Sequence, residues 1–312
     1  MSEDTVVPFE NVKADQKASK NWGDPSVAFA DLGRTSTDTE ITECVVKHVT
    51  ALVDLHKVNN YEIVLLIDNH DNIISWHADR IYQAASAKPG EKDILLVIDS
   101  NGGRVEPAYL ISKTCKRLSR QKFIAAVPRR AKSAATLIAL GADEIHMGLM
   151  SELGPIDPQF GGFPALGMKN ALSVLAELSC KHPGAAEMLS KYLTQKLNLD
   201  LLGYCDRVAE SATQYAERLL EGKKLPAGKT AQSLSDHFVN HYKDHGFVID
   251  ADESEKLLGK MIVKQSTPEY RFSNALYQSL DNLSFYMKFV LDKRFDYVGS
   301  LSDSFRIYPV PK

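Results

Sequence analysis

The sequence predicts an α/β fold: a core of stacked βαβ units followed by a mainly helical C-terminal part. Two short runs, "YEIVLLID" at 61–68 and "KDILLVIDS" at 92–100, are continuous, branched and apolar and end in an acid or next to one. That is the form of central parallel strands buried on both faces. Segments of helical period separate these runs, and the alternation repeats along the first half of the chain. After residue 158 the apolar residues fall instead into long stripes at helical spacing.

Each element has its own warrant. Residues 1–35 are polar, contain Pro8 and Pro25, and show neither period 2 nor period 3.6, so they are expected to form an arm. From Asp38, the residues Ile41, Val45, Val49, Leu52 and Leu55 recur at helical spacing and predict a first amphipathic helix. "SWHADRIYQAASAKPG" reads as a crossover helix closed by Pro89 and Gly90. After the second strand come "NGG", the helix "VEPAYLISKTCKRLSRQ" and the strand "FIAAVP". Ser133 then opens "SAATLIALGA", and a strand lies around "EIHMG". Polar loops at the carboxyl ends of such strands are where ligands bind, which singles out 99–103 and 129–133.

Three helices are expected from "GMKNALSVLAELSCK", "GAAEMLSKYLTQKL" and "LLGYCDRVAESATQYAERLL". A further helix is expected from residue 233, then Gly246, a short "FVI" segment and a helix capped by Asp250 or Asp252. The last fifty residues are rich in aromatics and carry no interpretable motif.

Composition narrows the function classes. A chain of 312 residues with 44% hydrophobic and 25% charged content supports a substantial core. A net charge of −3 and a pI near 6.3 supply no basic field for nucleic acid or an anionic membrane surface. Cys44, Cys115, Cys180 and Cys205 are widely spaced, with no C-x-x-C pair, and read as reduced thiols. No charged start followed by an apolar block marks a signal peptide, and no apolar run approaches the ~20 residues that span a bilayer. A cytoplasmic protein without a membrane span is expected, and no cofactor or metal motif stands out.

The residues that point to chemistry are Ser133 and the glycine pair. A serine between a strand and a helix exposes its hydroxyl at the positive end of the helix dipole, which favours developing negative charge. The Ala134 N–H points at the same place. In "DSNGG", Gly102 and Gly103 offer backbone N–H groups without side-chain obstruction, as an oxyanion requires. Serine is also a good N-cap and Gly-Gly a common tight turn, so spacing alone leaves both readings open.

"IDSNGGRV", "AKSAATLIALGADEIHMG" and "SELGPIDPQ", in that order, closely resemble the serine dehydrogenase proteinase family. This is a branch of the ClpP/crotonase superfamily related to signal peptide peptidase A. The resemblance runs from roughly residue 60 to 260 and is strongest from 94 to 160. It implies a ClpP/crotonase-like spiral core and a catalytic domain over 36–260 with a C-terminal extension over 261–312. It also implies that Ser133 attacks an amide carbonyl to form an acyl-enzyme, with Gly102, Gly103 and Ala134 as the oxyanion hole. Members commonly assemble into rings or trimeric layers, so a homo-oligomer is expected, with its interface in the helical region after residue 165.

The base departs from the ClpP pattern, which places a histidine after the strand that follows the serine helix. Here Asp157 stands near that position. Signal peptide peptidase A-like enzymes use a lysine further along, and such a lysine must be partly desolvated. The candidates are Lys132, Lys169 and Lys191. Lys132 adjoins Ser133, but neighbouring side chains at a helix start diverge, so a surface or substrate-carboxylate contact is the plainer role. Asp157 is a candidate to orient a lysine, to act through water, or to cap the turn before Pro158.

His237, His241 and His245 fall at i, i+4 and i+8, a spacing that also suits a solvated helical face, which is the favoured reading over metal. His70 and His77 read as loop or surface residues. Two rivals to the peptidase reading are thioester chemistry on an acyl-CoA and a catalytically silent assembly or binding subunit. Neither a G-x-G-x-x-G fingerprint nor a site for pyridoxal supports a dehydrogenase. No Walker A motif is present, so any ATP-driven unfolding would come from a separate partner.

Overall fold

The computed structural model describes residues 20–160, 163–196 and 199–311. A one-turn helix α1 (Pro25–Ala28) leads to α2 (Asp38–His56). A capping box starts α2: Glu40 N donates to Thr37 Oγ1 at 3.3 Å, and Thr37 N donates to the Glu40 carboxylate at 2.8 Å. Then follow β1 (Tyr61–Asp68), α3 (Ser75–Ala85), β2 (Asp93–Ser100), α4 (Val105–Leu118) and β3 (Phe123–Ala126). The two-residue β4 (Arg130–Ala131) precedes α5 (Ala134–Gly141), β5 (Glu144–Met147) and the two-residue β6 (Glu152–Leu153).

A short hairpin, β7 (Gln159–Phe160) with β8 (Phe163–Pro164), opens the helical stretch. It contains α6 (Ala165–Lys181), α7 (Ala186–Lys196), α8 (Leu199–Leu220) and α9 (Ala231–Asp236), with a π-helical turn at His237–His241. The chain continues through β9 (Ile249–Asp250), α10 (Ala251–Leu258), β10 (Val263–Gln265), α11 (Pro268–Val290), β11 (Lys293–Ser300) and β12 (Phe305–Pro309).

The main sheet has the order β10-β5-β3-β2-β1-β11-β12. Its first five strands run parallel, and β11 and β12 continue it antiparallel. Alternation along the strands explains the two packed layers. Val64 and Leu66 of β1, with Ile94, Leu96 and Ile98 of β2, face one core with Ile81 of α3, Ile111 of α4 and α5. Ile63, Leu65, Leu95 and Val97 face the other, built with α2 and α11. Both faces are therefore covered, as the apolar runs predict, and each such buried side chain is worth about 1.5–3 kcal/mol.

The final fifty residues, motif-free in the sequence, supply β10 at one end of this sheet, the hairpin of β11 and β12 at the other, and α11 across a face. Outside the main layers, α6 and α7 leave Val174, Leu178, Met188 and Tyr192 exposed. Among the described residues, no helix is long and apolar enough to cross a membrane.

A polar cluster ties α11 to the parallel strands. Tyr61 Oη donates to Glu269 at 2.7 Å, and His146 Nδ1 lies 3.3 Å from the same carboxylate. Burial alone would raise the Glu269 carboxyl, but the hydrogen bonds from His146 and Tyr61 outweigh it and hold the group at about 2. A carboxyl held below its ordinary 4.5 stabilises the fold above that pH, and the contribution disappears as pH falls toward 2. Glu269→Gln should therefore lower the denaturant midpoint at pH 6 and match the wild type near pH 2. An equal deficit at both pH values would exclude the linkage.

Candidate active site

Ser133 joins β4 to α5 with φ +50° and ψ −119°, a left-handed backbone that a serine adopts only under constraint. The constraint comes from both sides. Lys132 N donates to Ser100 O at 3.0 Å, and Ala131 pairs with Ser100 and with Leu153. Thr136 Oγ1, inside the first turn of α5, donates to Ala131 O at 2.6 Å and lies 2.9 Å from both Gly154 N and Gly154 O. The turn is thus anchored to β2 and to the segment after β6. Ser133 is half-buried, and its hydroxyl has no hydrogen-bond partner among the described residues.

The glycine pair packs directly against it. A Cβ on Gly102 would stand 2.9 Å from Ser133 Cβ, 2.5 Å from Lys132 O and 3.1 Å from Ala134 N, so only glycine permits this approach. Gly102 N donates to Ser100 Oγ at 3.2 Å. Gly103 forms a parallel bridge with Ile73: Ile73 N donates to Gly102 O and Arg104 N to Ile73 O, each at 2.9 Å. That pattern turns the Gly103 N–H away from Ile73. The N–H groups of Gly103 and Ala134 have no partner among the described residues.

The opposite face of β2 carries Asp99, which is buried against Asn69 and Arg130, whose Nε lies 3.4 Å away. Burial raises the Asp99 carboxyl, with Asn69 and Arg130 opposing the shift. Asp99 faces the α11 side, away from Ser133, so the loop at 99–103 divides between the two layers.

The sequence-derived base candidates separate in space. Lys132 forms an ion pair with Glu152 at 2.9 Å and donates to Phe247 O at 3.0 Å and Gly246 O at 3.5 Å. Its ammonium is an anchor between β6 and the 246–247 turn, with the side chain only 15% exposed, and not the surface contact expected from its place beside Ser133. Lys191 lies on α7, is 73% exposed and is ion-paired with Glu187 at 2.8 Å. It is not brought to Ser133 by any contact and lacks the desolvation a lysine base needs. The Lys169 side chain lies outside the described residues. Among the described lysines, burial pushes Lys223 down to about 8. Its amine is bonded to Ala142 O, at the far end of α5 and about 14 Å from Ser133 at 1.5 Å per residue.

Asp157 is buried, and its carboxylate meets His245 Nδ1 at 2.7 Å and Gln159 Nε2 at 2.8 Å. His245 therefore does not share a helical face with the other two histidines, as the i, i+8 spacing suggested. The helix ends in the π-helical turn, where His237 and His241 stack at 4.1 Å, and the chain then turns away at Tyr242, held by Glu253 at 2.6 Å. His77 is likewise not a surface residue. It is buried at the start of α3 with Nε2 3.1 Å from Asp68, while His70 is exposed. Spacing shows neither contact, because each joins residues from separate segments.

Residues 40–196, half of the chain, match the family described as ClpP-like SDH-type serine proteinase. The chain belongs to this family. In this SDH-type proteinase the matched part contains Ser133, the glycine pair, Asp157 and Lys191, whereas His245 lies beyond it. Two curated relatives come from Methanocaldococcus jannaschii. Uncharacterized protein MJ0137 is 40% identical over 95 residues, 30% of this chain and 33% of the relative. Uncharacterized protein MJ1495 is 34% identical over 94 residues, 30% and 32% respectively. The chain spans about a third of the length of these relatives. Two solved mutants of the 1510-N membrane-bound stomatin-specific protease show partial likeness, each with a TM-score of 0.42. One is 17% identical and covers 66% of this chain and 80% of its own. The other, in complex with a substrate peptide, is 15% identical and covers 81% and 89%.

Proposed function

We propose that this chain is a serine peptidase that cleaves peptide bonds through an acyl-enzyme on Ser133. The observation that supports this most is the strained Ser133 backbone pressed against Gly102, with the hydroxyl, at the start of α5, left without a partner among the described residues. A φ of +50° at a non-glycine residue costs of order 1–3 kcal/mol, and a fold retains such strain where the side chain must be presented. In this reading Gly103 N–H and Ala134 N–H receive the oxyanion. Gly102 serves by letting the two turns approach, since its own N–H is taken by Ser100. Self-association through the exposed apolar side chains of α6 and α7, as in the superfamily, belongs to the same proposal.

The test is labelling of the full chain with a fluorophosphonate probe, followed by peptide mapping. An adduct on Ser133 is expected. A folded protein with no adduct at Ser133 would favour a silent subunit or acyl-CoA chemistry over the peptidase.

A further inference from the structure

We propose that the stacked pair His237 and His241 is an acid-sensitive switch that loosens the 242–247 turn and lowers the reactivity of Ser133 as pH falls. The inference rests on the proposed nucleophile role of Ser133 and adds a regulation of that site. The two imidazoles lie face to face in the π-helical turn, with centroids 4.1 Å apart and planes 16° from parallel. Their N–H bonds point along the ring planes, so rings stacked in this way cannot share a proton. The stack tolerates one charge, because a cation is attracted to the face of a neutral ring. A second proton sets two cations at the 4.1 Å separation, and water screens that repulsion only in part where one ring is half-buried.

His241 is exposed, so protons reach the pair from solvent. Burial and the neighbouring His241 hold His237 below its ordinary 6.5, with Lys229 acting the same way and Glu253 and Asp236 opposing. An opened turn therefore takes up the proton first, and the closed turn loses stability as pH falls below 6.5. The other charged groups on the packed elements are Asp206 and Glu210 of α8, which line a cleft with Asp236 and Asn240, and Lys243 and Asp244 in the following turn. The acids favour uptake of protons and leave the repulsion within the pair in place.

Tyr242 carries the change outward. Its ring stands edge-on to both imidazoles, 5.2 Å from each and at 83° to each. Its Oη accepts from His237 Nε2 at 3.2 Å and donates to Glu253 at 2.6 Å, and its ring stacks on Phe247 at 4.7 Å. Phe247 O accepts in turn from Lys132 Nζ at 3.0 Å, and Lys132 precedes Ser133. A second tie leaves the π-helical turn directly: Ile156 N donates to Phe238 O at 2.9 Å. Parting of the two rings thus removes the packing of Tyr242 and disturbs both supports that join this turn to the serine turn. Protonation of clustered histidines is a recurrent way to bias such a two-state element.

The experiment compares wild type, His241→Phe and His241→Gln from pH 5 to 8. Phenylalanine keeps a ring on His237 and cannot ionise; glutamine removes both the ring and the charge. The readouts are the rate of fluorophosphonate labelling at Ser133 and hydrogen-exchange protection over residues 237–250. At pH 8 His241→Phe should match the wild type in both. At pH 5 the wild type should lose protection and label about 10-fold or more slowly than His241→Phe, since a displacement of about 1 Å in a catalytic group costs on the order of 10²-fold. His241→Gln should likewise lack the acid-specific loss. His245 and the other groups that titrate in this range are common to the three proteins, so the ratio of rates isolates the pair. Equal pH profiles in the wild type and both variants would overturn the switch and leave Ser133 as nucleophile. Wild-type protection that stays constant from pH 8 to 5 would overturn it as well. A wild type unlabelled at pH 8 would remove the nucleophile reading and the control of Ser133 together.

Discussion

If Ser133 is the nucleophile proposed above, Ser133→Ala is expected to reduce amide hydrolysis and probe labelling by at least about 10⁴-fold, because the proposed acyl-enzyme can no longer form. Stability should move by no more than about 0.5 kcal/mol, since the Ser133 hydroxyl has no partner among the described residues and alanine keeps the same Cβ. Ser133→Gly separates site from scaffold further. Glycine accepts φ +50° and ψ −119° without penalty, so this variant should be equally inactive yet more stable by about 1 kcal/mol. Thermal melting of the three proteins beside their labelling checks both statements. A glycine variant less stable than the wild type would show that the turn is not strained.

Most of the parallel core was legible because its strands are apolar on both faces. "YEIVLLID" matches β1 residue for residue, and "KDILLVIDS" exceeds β2 by one. Ser133 and the glycines were legible because turn chemistry is local. An acid cap for α10, Asp250 or Asp252, was legible for the same reason; it is Asp250, whose carboxylate accepts from Glu253 N at 2.8 Å. What periodicity could not show were the two-residue strands β4, β6 and β9, too short to carry any period. Those strands nevertheless set side by side the segments that carry Ser133, Asp157 and His245. The hairpin of β11 and β12 was also hidden, since "KRFDYVGS", the strand that lies between β1 and the edge strand β12, mixes charged and apolar residues and shows no clean run or alternation. His245 was misread for a related reason: its spacing from His241 fits a helix that ends before reaching it.

The second large effect is expected at Gly103. A Cβ there would lie 2.2 Å from Ile73 N, 2.7 Å from Ile73 O and 2.8 Å from Ile73 Cα, all backbone atoms that no rotamer change can clear. Ile73 is fully buried, so it cannot withdraw into solvent. Gly103→Ala must therefore open the bridge that holds the loop, lengthening both 2.9 Å hydrogen bonds, and must also carry φ +155°. Loss of the two bonds with the backbone strain amounts to about 3 kcal/mol or more. Gly33→Ala is the matching control, with nothing within 4 Å of its Cβ, and should change stability by under about 0.5 kcal/mol. The effect on Ser133 should exceed the stability loss. A displacement of about 1 Å in a catalytic group costs on the order of 10²-fold, so labelling should fall by that factor in protein that is still folded. Denaturant midpoints and labelling rates measured together decide the matter. A folded Gly103→Ala protein that labels at the wild-type rate would show that this N–H does not serve the oxyanion and that the glycine is kept for its contact with Ile73 alone.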